Sequence, residues 1–350
     1  MKRKKYTQWP EDRLEIVNNC PVCGCSHSQA AEKELVDLIS SAPTTGWQIN
    51  ICKICKSGFL FKRPMGAYIQ DAYHGYHTHT VNKDDTLGGR SRRLQNYLRD
   101  QYYDYRNGDG GIPTLLVYYL SLVLYPVALY FEAKSRHIFQ LGNKGSLLDV
   151  GCGNGEFLEF ARKYGWNAKG VDFDSEAVST ACSRGLDVLH GGIDAVGNNE
   201  QFDLITLSHV IEHVYEPAEL LNTCMSLLRD GGVLWLETPN IESIGYRLYG
   251  ADWRGLEPPR HLAIFNRSSL LDSLNSVGFS HVVQRCHGLS GIYMALASDK
   301  IKRKRRGDVV NTFLNRTINM LSLLIKVILM ESVQLLSKRK REYLTFMAIK

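Results

Sequence analysis

The sequence predicts an α/β protein with a seven-stranded sheet, a small cysteine-rich unit near its N-terminal end, and helices that contact a membrane surface. Short apolar runs alternate with helical stretches from residue 146 onward, as in βαβ units. Two Cys-x2-Cys pairs precede them. Two other segments are long and apolar: 112–131, which carries no charge, and 308–336, which is flanked by basic clusters. We expect a cysteine-rich unit (1–63), a helical linker or lid (64–140), and the α/β domain (141–350).

Composition and charge bound the possible functions. Hydrophobic residues make up 44% of the 350 residues, which excludes a disordered chain. Residues 300–350 hold 13 Lys/Arg and 3 Asp/Glu, whereas residues 1–299 hold 29 Lys/Arg and 33 Asp/Glu. The acidic body argues against nucleic-acid binding, and the basic C-terminal part indicates one anionic partner. Nine unevenly spread cysteines and a polar N-terminal stretch predict a reducing, cytosolic compartment without a secretory signal.

The cysteine pairs predict a structural zinc site. CPVCG contributes Cys20 and Cys23, and CKIC contributes Cys52 and Cys55. Four thiolates suit a closed tetrahedral Zn²⁺ site, in which the metal stabilises the fold and does not catalyse. The 28-residue gap between the pairs indicates an inserted strand or loop, and Cys25 is a possible substitute ligand. Accidental pairing of buried cysteines is the alternative.

Two features of the linker are ambiguous. The string from Tyr73 to His79 is either a metal-binding tract or, as we prefer, a loop or helix that packs against the α/β domain. Residues 112–131 carry no charge over 20 residues, which is the length of a membrane span. Pro113, Pro126 and four tyrosines favour a buried or interfacial helix instead.

The elements of the α/β domain follow from apolar runs and helix signals. We expect strands at 146–151, 167–174, 186–192, 202–209, 231–240, within 281–296, and at 342–350. Helices are expected at 154–164, 175–185, 216–229 and 268–277.

A basic amphipathic insertion (300–341) lies before the last strand. Polar residues recur every three or four positions across 308–336, and the remaining surface is apolar. Clusters of Lys and Arg flank this helix at 300–306 and 338–341. The pattern favours a helix lying in an anionic membrane surface over an ordinary core helix.

The string LLDVGCGNGEF (147–157) carries the chemistry. Alternating Gly151, Gly153 and Gly155 follow a strand that contains Asp149, and they let the chain pass close to a ligand. Asp172 ends the next strand, where a carboxylate can hold both hydroxyls of a ribose. The spacing differs from that of dinucleotide binders, and no phosphate-binding Lys-Ser/Thr follows. A nucleoside with a small charged tail therefore fits better than NAD or ATP.

These motifs, with GVDFD, FDLITLSHVIEHV and LLRDGGVLWLETPN, resemble the class I S-adenosylmethionine (SAM) dependent methyltransferases. The resemblance covers 146–298 and the final strand, and implies a Rossmann-like sheet whose last strand is antiparallel. It also implies a set of SAM-binding residues: Asp149, Gly151, Cys152, Gly153, Gly155, Glu156, Phe157, Asp172, Phe173, Ile193, Asp194, Ser208 and His209.

A narrower resemblance concerns the acceptor. The cysteine pairs, EHV, TPN and W-x-x-L-x-P-P-R-H-L-x-x-F look like zinc-ribbon methyltransferases of bacterial polysaccharide and deoxysugar pathways. In that family the segment after the fifth strand caps the acceptor pocket. The resemblance implies a sugar or lipid-linked polysaccharide precursor as acceptor. A membrane quinone or isoprenoid phenol is one alternative, and a non-catalytic SAM-binding scaffold is another.

Methyl transfer to a hydroxyl needs alignment, exclusion of water and removal of a proton. His261 and His213 are the predicted catalytic residues, with Glu212 as base or orienting group. His213 or Glu212 as a helix cap and His261 as a salt-bridged loop residue are the structural alternatives. Because SAM is cytosolic and the last strand must rejoin its sheet, we expect peripheral attachment to the cytosolic membrane face, with glycan access as the motive.

Overall fold

The computed structural model describes residues 7–39, 44–73, 89–142, 144–197, 199–306 and 313–350. The N-terminal unit contains six strands: β1 (Thr7–Gln8), β2 (Leu14–Ile16), β3 (Ser28–Val36), β4 (Thr44–Cys52), β5 (Gly58–Leu60) and β6 (Lys62–Pro64). A 3₁₀ helix at Gly66–Tyr73 follows it. The connecting segment contains three helices: α1 (Gly89–Asn107), α2 (Ile112–Val123) and α3 (Tyr125–Lys134).

The α/β domain contains the remaining elements. Its strands are β7 (Ser146–Val150), β8 (Asn167–Asp172), β9 (Asp187–His190), β10 (Phe202–Ser208), β11 (Leu228–Pro239), β12 (Ala263–Ile264), β13 (Ser280–Arg285) and β14 (Tyr343–Ile349). Its helices are α4 (Glu156–Lys163), α5 (Ser175–Ser183), α6 (Pro217–Leu227), α7 (Ile244–Tyr249), α8 (Arg267–Val277), α9 (Ser290–Arg306) and α10 (Phe313–Leu336).

A seven-stranded sheet in the order β13-β14-β11-β10-β7-β8-β9 forms the centre. Only β14 runs antiparallel to its neighbours β11 and β13. Alternate residues of each strand point to opposite faces: Leu148 packs in the cluster with α6 and α8, and Leu147 packs in the cluster with α4 and α5. The predicted Rossmann-like sheet with an antiparallel last strand is confirmed.

The N-terminal unit is joined to the α/β domain by a shared sheet. β12 pairs antiparallel with β5, so that a two-residue strand from the α/β domain extends the sheet built by β1, β3, β4 and β5. The hairpin of β3 and β4 supplies the insertion expected between the cysteine pairs. The N-terminal unit that we expected to end at residue 63 therefore shares backbone hydrogen bonds with the α/β domain.

The uncharged segment 112–131 is not one helix. α2 and α3 are bent by 113° at Leu124, which leaves the helical conformation with φ −90° and ψ 60°. Pro126 lies in the first turn of α3, where its missing N–H costs no helix bond. The expected sixth strand is also shorter than its region, because 290–306 forms α9.

Helix α10 presents apolar side chains on two sides. One side packs through Leu323, Val327 and Met330 into the core between the two sheets. The opposite side leaves large apolar side chains exposed: Met320, Leu321, Leu324, Ile325, Ile328, Leu329, Leu335 and Leu336. Its segment Asn319–Leu336 has a mean hydropathy of 1.6, is only 11% buried, and is long and apolar enough to cross a membrane. The predicted polar positions 308–312 lie outside the described residues.

Candidate active site

The site begins where the chain order of the central sheet reverses. β7 leads outward to β8 and β9, whereas β10 and β11 lie on its other side. The loops after β7 and β10 therefore diverge at their carboxyl ends and leave a crevice, the usual ligand position in such sheets. Gly151 (φ +70°) and Gly153 (φ +56°) line it in the left-handed conformation that favours glycine.

Asp172 connects the glycine loop to the end of β8. Its Oδ2 accepts the Gly153 amide at 2.7 Å, and its Oδ1 accepts the Asp174 amide at 2.8 Å. Phe173 follows it and keeps 68% of its surface exposed toward the cleft. An exposed aromatic ring in a cleft can form an apolar wall for a ligand.

Asp149 lies beneath the loop as a fully buried carboxylate. Its Oδ1 accepts hydrogen bonds from Arg136 and, at 2.9 Å, from the Thr206 hydroxyl. Burial raises the pKa of Asp149, and the Arg136 charge opposes that shift. Its Oδ2 is buried and has no hydrogen-bond partner among the residues that the structure describes. Arg136 also stacks on Phe157, with 3.7 Å between the guanidinium carbon and the ring centre.

The described residues bound a cleft of 2690 Å³. Most of the predicted SAM-binding residues line it: Gly151, Cys152, Gly153, Glu156, Phe157, Asp172, Phe173, Ile193, Asp194, Ser208 and His209. Asp149 and Gly155 do not line it. Gly155 (φ +82°) instead begins α4, where a Cβ would approach Leu186 Cδ1 to 2.4 Å, so its role is in packing.

A chain of histidines and glutamates crosses the floor of the cleft. His209 Nδ1 donates to Glu212 Oε1 at 3.1 Å, and its Nε2 lies 3.6 Å from Glu237 Oε1. Glu237 Oε2 also accepts His287 Nδ1 at 2.9 Å and the Thr345 hydroxyl at 2.6 Å. Burial disfavours a charged imidazole, but the two carboxylates outweigh it and raise the pKa of His209 to about 9. His209 is therefore a cation at neutral pH.

Glu212 has both carboxylate oxygens engaged. Oε1 accepts His209 and Oε2 accepts the Thr238 hydroxyl at 2.9 Å, while the side chain is fully buried. Burial raises its pKa, but the bond and charge of His209 produce a net lowering. Glu212 is thus held as an ionised carboxylate between His209 and Thr238.

His213 lies half-buried on the cleft wall with a defined tautomer. Its Nδ1 donates to the carbonyl of Arg260 at 3.0 Å, so its Nε2 carries the free lone pair. The Tyr73 hydroxyl lies 3.1 Å from the same Nδ1. Burial lowers the pKa of His213 below its ordinary value. A neutral imidazole with a free Nε2 has the properties of a general base.

His261 packs edge-on against His213, with ring centres 4.8 Å apart. Its Nδ1 donates to the Gly255 carbonyl at 2.8 Å, and burial holds its pKa well below the usual range. The structure thus brings the three predicted catalytic residues together, with potential ligand atoms of Glu212, His213 and His261 within 4.8 Å of one another.

The four predicted metal ligands form one cluster in the N-terminal unit. Cys20 Sγ lies 3.6 Å from Cys55 Sγ, and Cys23 Sγ lies 3.6 Å from Cys52 Sγ. All four sulfurs lie within 4.8 Å of one another, close to the separation of about 3.8 Å that tetrahedral Zn–S bonds of ~2.3 Å require. Cys25 lies outside this cluster of the described residues and contacts His27.

The two cysteine turns have the same backbone form. Gly24 (φ +71°) and Lys56 (φ +61°) are both left-handed, each four residues after the first cysteine of its pair. Each donates its amide to that cysteine's carbonyl, at 2.8 Å and 3.1 Å respectively. A left-handed lysine is less favourable than a glycine, so the second turn is maintained by its surroundings.

Several residues of the site carry no recognisable signal in the sequence. Arg136 and His287 belong to no motif, and Tyr73 is one of many tyrosines in the linker. Glu237 has a signal in retrospect, because a carboxylate in a central strand is rarely buried without partners. The remainder of the tyrosine and histidine string, 74–79, lies outside the described residues.

Comparison with known proteins agrees with this geometry. A family model described as a methyltransferase domain matches residues 128–284. A ubiquinone biosynthesis O-methyltransferase of Caulobacter vibrioides is 30% identical over 33% of this chain and 51% of its own length. The enzyme of that name from Actinobacillus pleuropneumoniae is 32% identical over 36% of this chain and 58% of its own. The chain thus spans about half the length of these curated relatives.

Among solved structures, a SAM dependent methyltransferase from Archaeoglobus fulgidus covers 63% of this chain and 92% of its own, with 20% identity and a TM-score of 0.42. The predicted sugar or polysaccharide acceptor is wrong, because the curated relatives are named for ubiquinone biosynthesis. The match to the family model and the topology of the sheet together identify a class I SAM-dependent methyltransferase domain in this chain.

Proposed function

We propose that the chain is an O-methyltransferase that transfers the methyl group of SAM to a phenolic hydroxyl of an isoprenoid-substituted quinone precursor. The observation that carries this proposal is that the glycine loop, Asp172 and His213, whose Nδ1 bonds the Arg260 carbonyl, line one cleft. The names of the curated relatives support the phenolic acceptor. The cleft exceeds the roughly 300–1,000 Å³ of common ligand pockets, which leaves room for a bulky acceptor beside SAM.

The residues around the loop fit SAM. Asp172 would hold the ribose hydroxyls, and Phe173 with Ile193 and Asp194 would enclose the adenine. Asp149, buried beneath the loop, would orient it through Arg136, and Arg136 lines the cleft and supplies the positive charge that a methionyl carboxylate needs. When bound, SAM supplies an electrophilic methyl group on its sulfonium.

The histidines supply proton removal. A phenol resembles tyrosine, with an ordinary pKa of about 10, so its hydroxyl is a poor nucleophile until a base removes the proton. His213 is neutral and has a free Nε2 to accept that proton. Glu212 and the charged His209 hold the floor of the cleft in place, and the burial of His261 excludes water beside the base.

The test is methyl transfer from radiolabelled SAM to a polyprenyl catechol in detergent micelles, with the product identified by mass spectrometry. We expect one added methyl on oxygen and stoichiometric S-adenosylhomocysteine. Material that binds S-adenosylhomocysteine but leaves the catechol unlabelled would refute the acceptor and leave the cofactor assignment intact.

A second proposal concerns the cysteine cluster, which would hold one structural Zn²⁺. The sulfur separations and the paired left-handed turns support a closed four-thiolate site. Metal analysis of the purified protein is expected to give one zinc per chain, and Cys52→Ser should lower that content and the unfolding temperature. Cys25→Ser, outside the cluster, serves as the control. Full zinc retention in Cys52→Ser would exclude Cys52 as a ligand.

A third proposal is peripheral attachment to an anionic membrane at the cytosolic face. The exposed apolar side of α10 supports it, as do exposed Leu116, Tyr119 and Leu120 of α2. The basic clusters are partly engaged within the protein, since Arg341 is buried and Arg305 binds Asp252 at 2.8 Å. The apolar contacts would therefore contribute more to membrane attachment than the basic clusters in the sequence suggest.

Flotation tests this attachment. The protein should rise with vesicles of phosphatidylglycerol and phosphatidylcholine, and Ile325→Glu with Ile328→Glu should abolish that movement. Val283→Glu changes an equally apolar, exposed residue on β13 and should float normally. Equal flotation of both variants would exclude α10 as the contact.

A further inference from the structure

Arg260 connects the N-terminal unit to the wall of the active site. Its side chain is fully buried, and its guanidinium donates to both carboxylate oxygens of Asp37, at 2.8 Å and 2.9 Å. It also donates to the Ala72 carbonyl at 2.9 Å and to Glu257 Oε1 at 3.0 Å. Because the guanidinium is planar and donates hydrogen bonds to three different residues, its orientation is fixed.

The backbone of the same residue holds His213. The Arg260 carbonyl accepts the Nδ1 proton of His213, which leaves the Nε2 lone pair of this cleft-lining residue available to accept a proton. Two residues later, the Leu262 amide donates to the Glu212 carbonyl at 2.7 Å, so this backbone runs directly behind the His213 loop. The side chain of Arg260 thus reaches Asp37 of the N-terminal unit, and its carbonyl contacts the predicted base in the α/β domain.

The position of Asp37 depends on the cysteine-bearing unit. Asp37 follows β3, its amide donates to the Thr44 carbonyl at 2.8 Å, and its Oδ1 accepts the Ile39 amide at 3.0 Å. The partner strand β4 ends at Cys52, a member of the cysteine cluster. Asn266, which begins α8, donates to the Cys55 carbonyl at 2.6 Å and fixes the cluster against the α/β domain.

We propose that the cysteine-bearing unit positions the catalytic base, with Asp37 as a positioning residue that acts on His213 through Arg260. The proposal rests on the assignment of His213 as the base. Asp37 touches neither the acceptor nor SAM. By holding the guanidinium, it fixes the Arg260 carbonyl that selects the tautomer of His213. Tyr73 ends the 3₁₀ helix that follows this unit, and its hydroxyl lies 3.1 Å from the same Nδ1 of His213.

Asp37→Asn is the decisive variant. An amide of the same shape presents an NH₂ group to a guanidinium that itself only donates, so the pair loses a hydrogen bond and one negative charge. Since displacement of a catalytic group by about 1 Å costs up to ~100-fold, we expect kcat to fall roughly tenfold or more. KM for SAM and the affinity for S-adenosylhomocysteine should change less than twofold, because the glycine loop is untouched.

A tautomer measurement separates positioning from general destabilisation. Long-range ¹H–¹⁵N spectra of protein labelled in histidine, with S-adenosylhomocysteine bound, distinguish the Nδ1–H from the Nε2–H form, and His213→Asn assigns the signal. We expect the Nδ1–H form for His213 in the wild-type protein and its loss or mixing in Asp37→Asn. Asp37→Glu, which keeps the charge, should restore part of the signal and part of kcat.

Glu11→Gln is the control. Glu11 also belongs to the N-terminal unit and binds Lys62 at 2.8 Å, in an exposed pair that makes no contact with the His213 loop among the described residues. It should keep wild-type kcat and the wild-type tautomer. A pure Nδ1–H signal and wild-type kcat in folded Asp37→Asn would overturn the proposal. A tautomer change in protein that methylates no phenol would uphold the positioning role and refute only the proposed acceptor.

Discussion

Replacing His213 with glutamine tests the assignment of the base most directly. Glutamine keeps a hydrogen-bond donor near the Arg260 carbonyl but removes the titratable imidazole of this cleft-lining residue. General base catalysis contributes roughly 100- to 10,000-fold to such reactions. His261 lies 4.8 Å away between ring centres and is also uncharged, so it can replace part of the lost function. We therefore expect a loss of kcat at the lower end of that range, roughly 100-fold, which corresponds to about 2.7 kcal/mol of transition-state stabilisation.

The pH profile gives the same test a second readout. Burial lowers the pKa of His213 below 6.5, so the wild-type base is fully available at neutral pH. The wild-type value of kcat/KM should therefore be level above about pH 6.5 and fall as the pH is lowered through the depressed pKa. In His213→Gln that acidic limb should be absent, and the remaining activity should rise with pH as the phenol itself ionises.

The assay is initial-rate methyl transfer to a polyprenyl catechol between pH 5 and 9, with affinity for S-adenosylhomocysteine measured by calorimetry. Affinity should be unchanged, because His213 does not contact the glycine loop. His281→Gln alters an exposed histidine on β13 and should retain full activity. A His213→Gln enzyme with wild-type kcat and an unchanged acidic limb would refute the base assignment.

Three further predictions follow from packing and charge. Gly155→Ala forces a left-handed alanine and a contact with Leu186, so it should lower the free energy of unfolding in urea by about 3 kcal/mol. Gly185→Ala, at φ +74° with open space around it, should lower it by only about 1 kcal/mol. Equal losses in the two variants would contradict this account. The raised pKa of His209 contributes stability that is complete below pH 6.5 and lost as pH rises through about 9, so His209→Gln should flatten the pH dependence of unfolding across that window. Arg136→Met should weaken S-adenosylhomocysteine binding roughly tenfold by calorimetry, and unchanged affinity would exclude contact with its carboxylate.

The sequence predicts the central sheet well because each buried strand is a short apolar run bounded by glycine or polar residues. All seven predicted strands are present, and the glycine loop lies at the reversal point. The bend at Leu124 was not predictable, since its Pro126 is equally compatible with the first turn of a new helix and with a kinked span. The polar network of His209, Glu237 and His287 was also missed, because it joins residues from the loop after β10, from β11 and from the loop after β13.

The string from Trp253 to Phe265 illustrates why function was harder to predict from the sequence than fold. As a linear pattern it suggested a cap over a sugar acceptor. In the structure three of its residues have structural partners: Trp253 donates to Glu342 at 3.2 Å, Arg260 binds Asp37, and Phe265 lies in the main core. The string therefore joins the cysteine-bearing unit to the methyltransferase sheet and carries His261 beside His213. An interface of this kind is compatible with many acceptors. Its presence in the sequence therefore indicates how the base is held, whereas acceptor specificity depends on the residues that line the cleft.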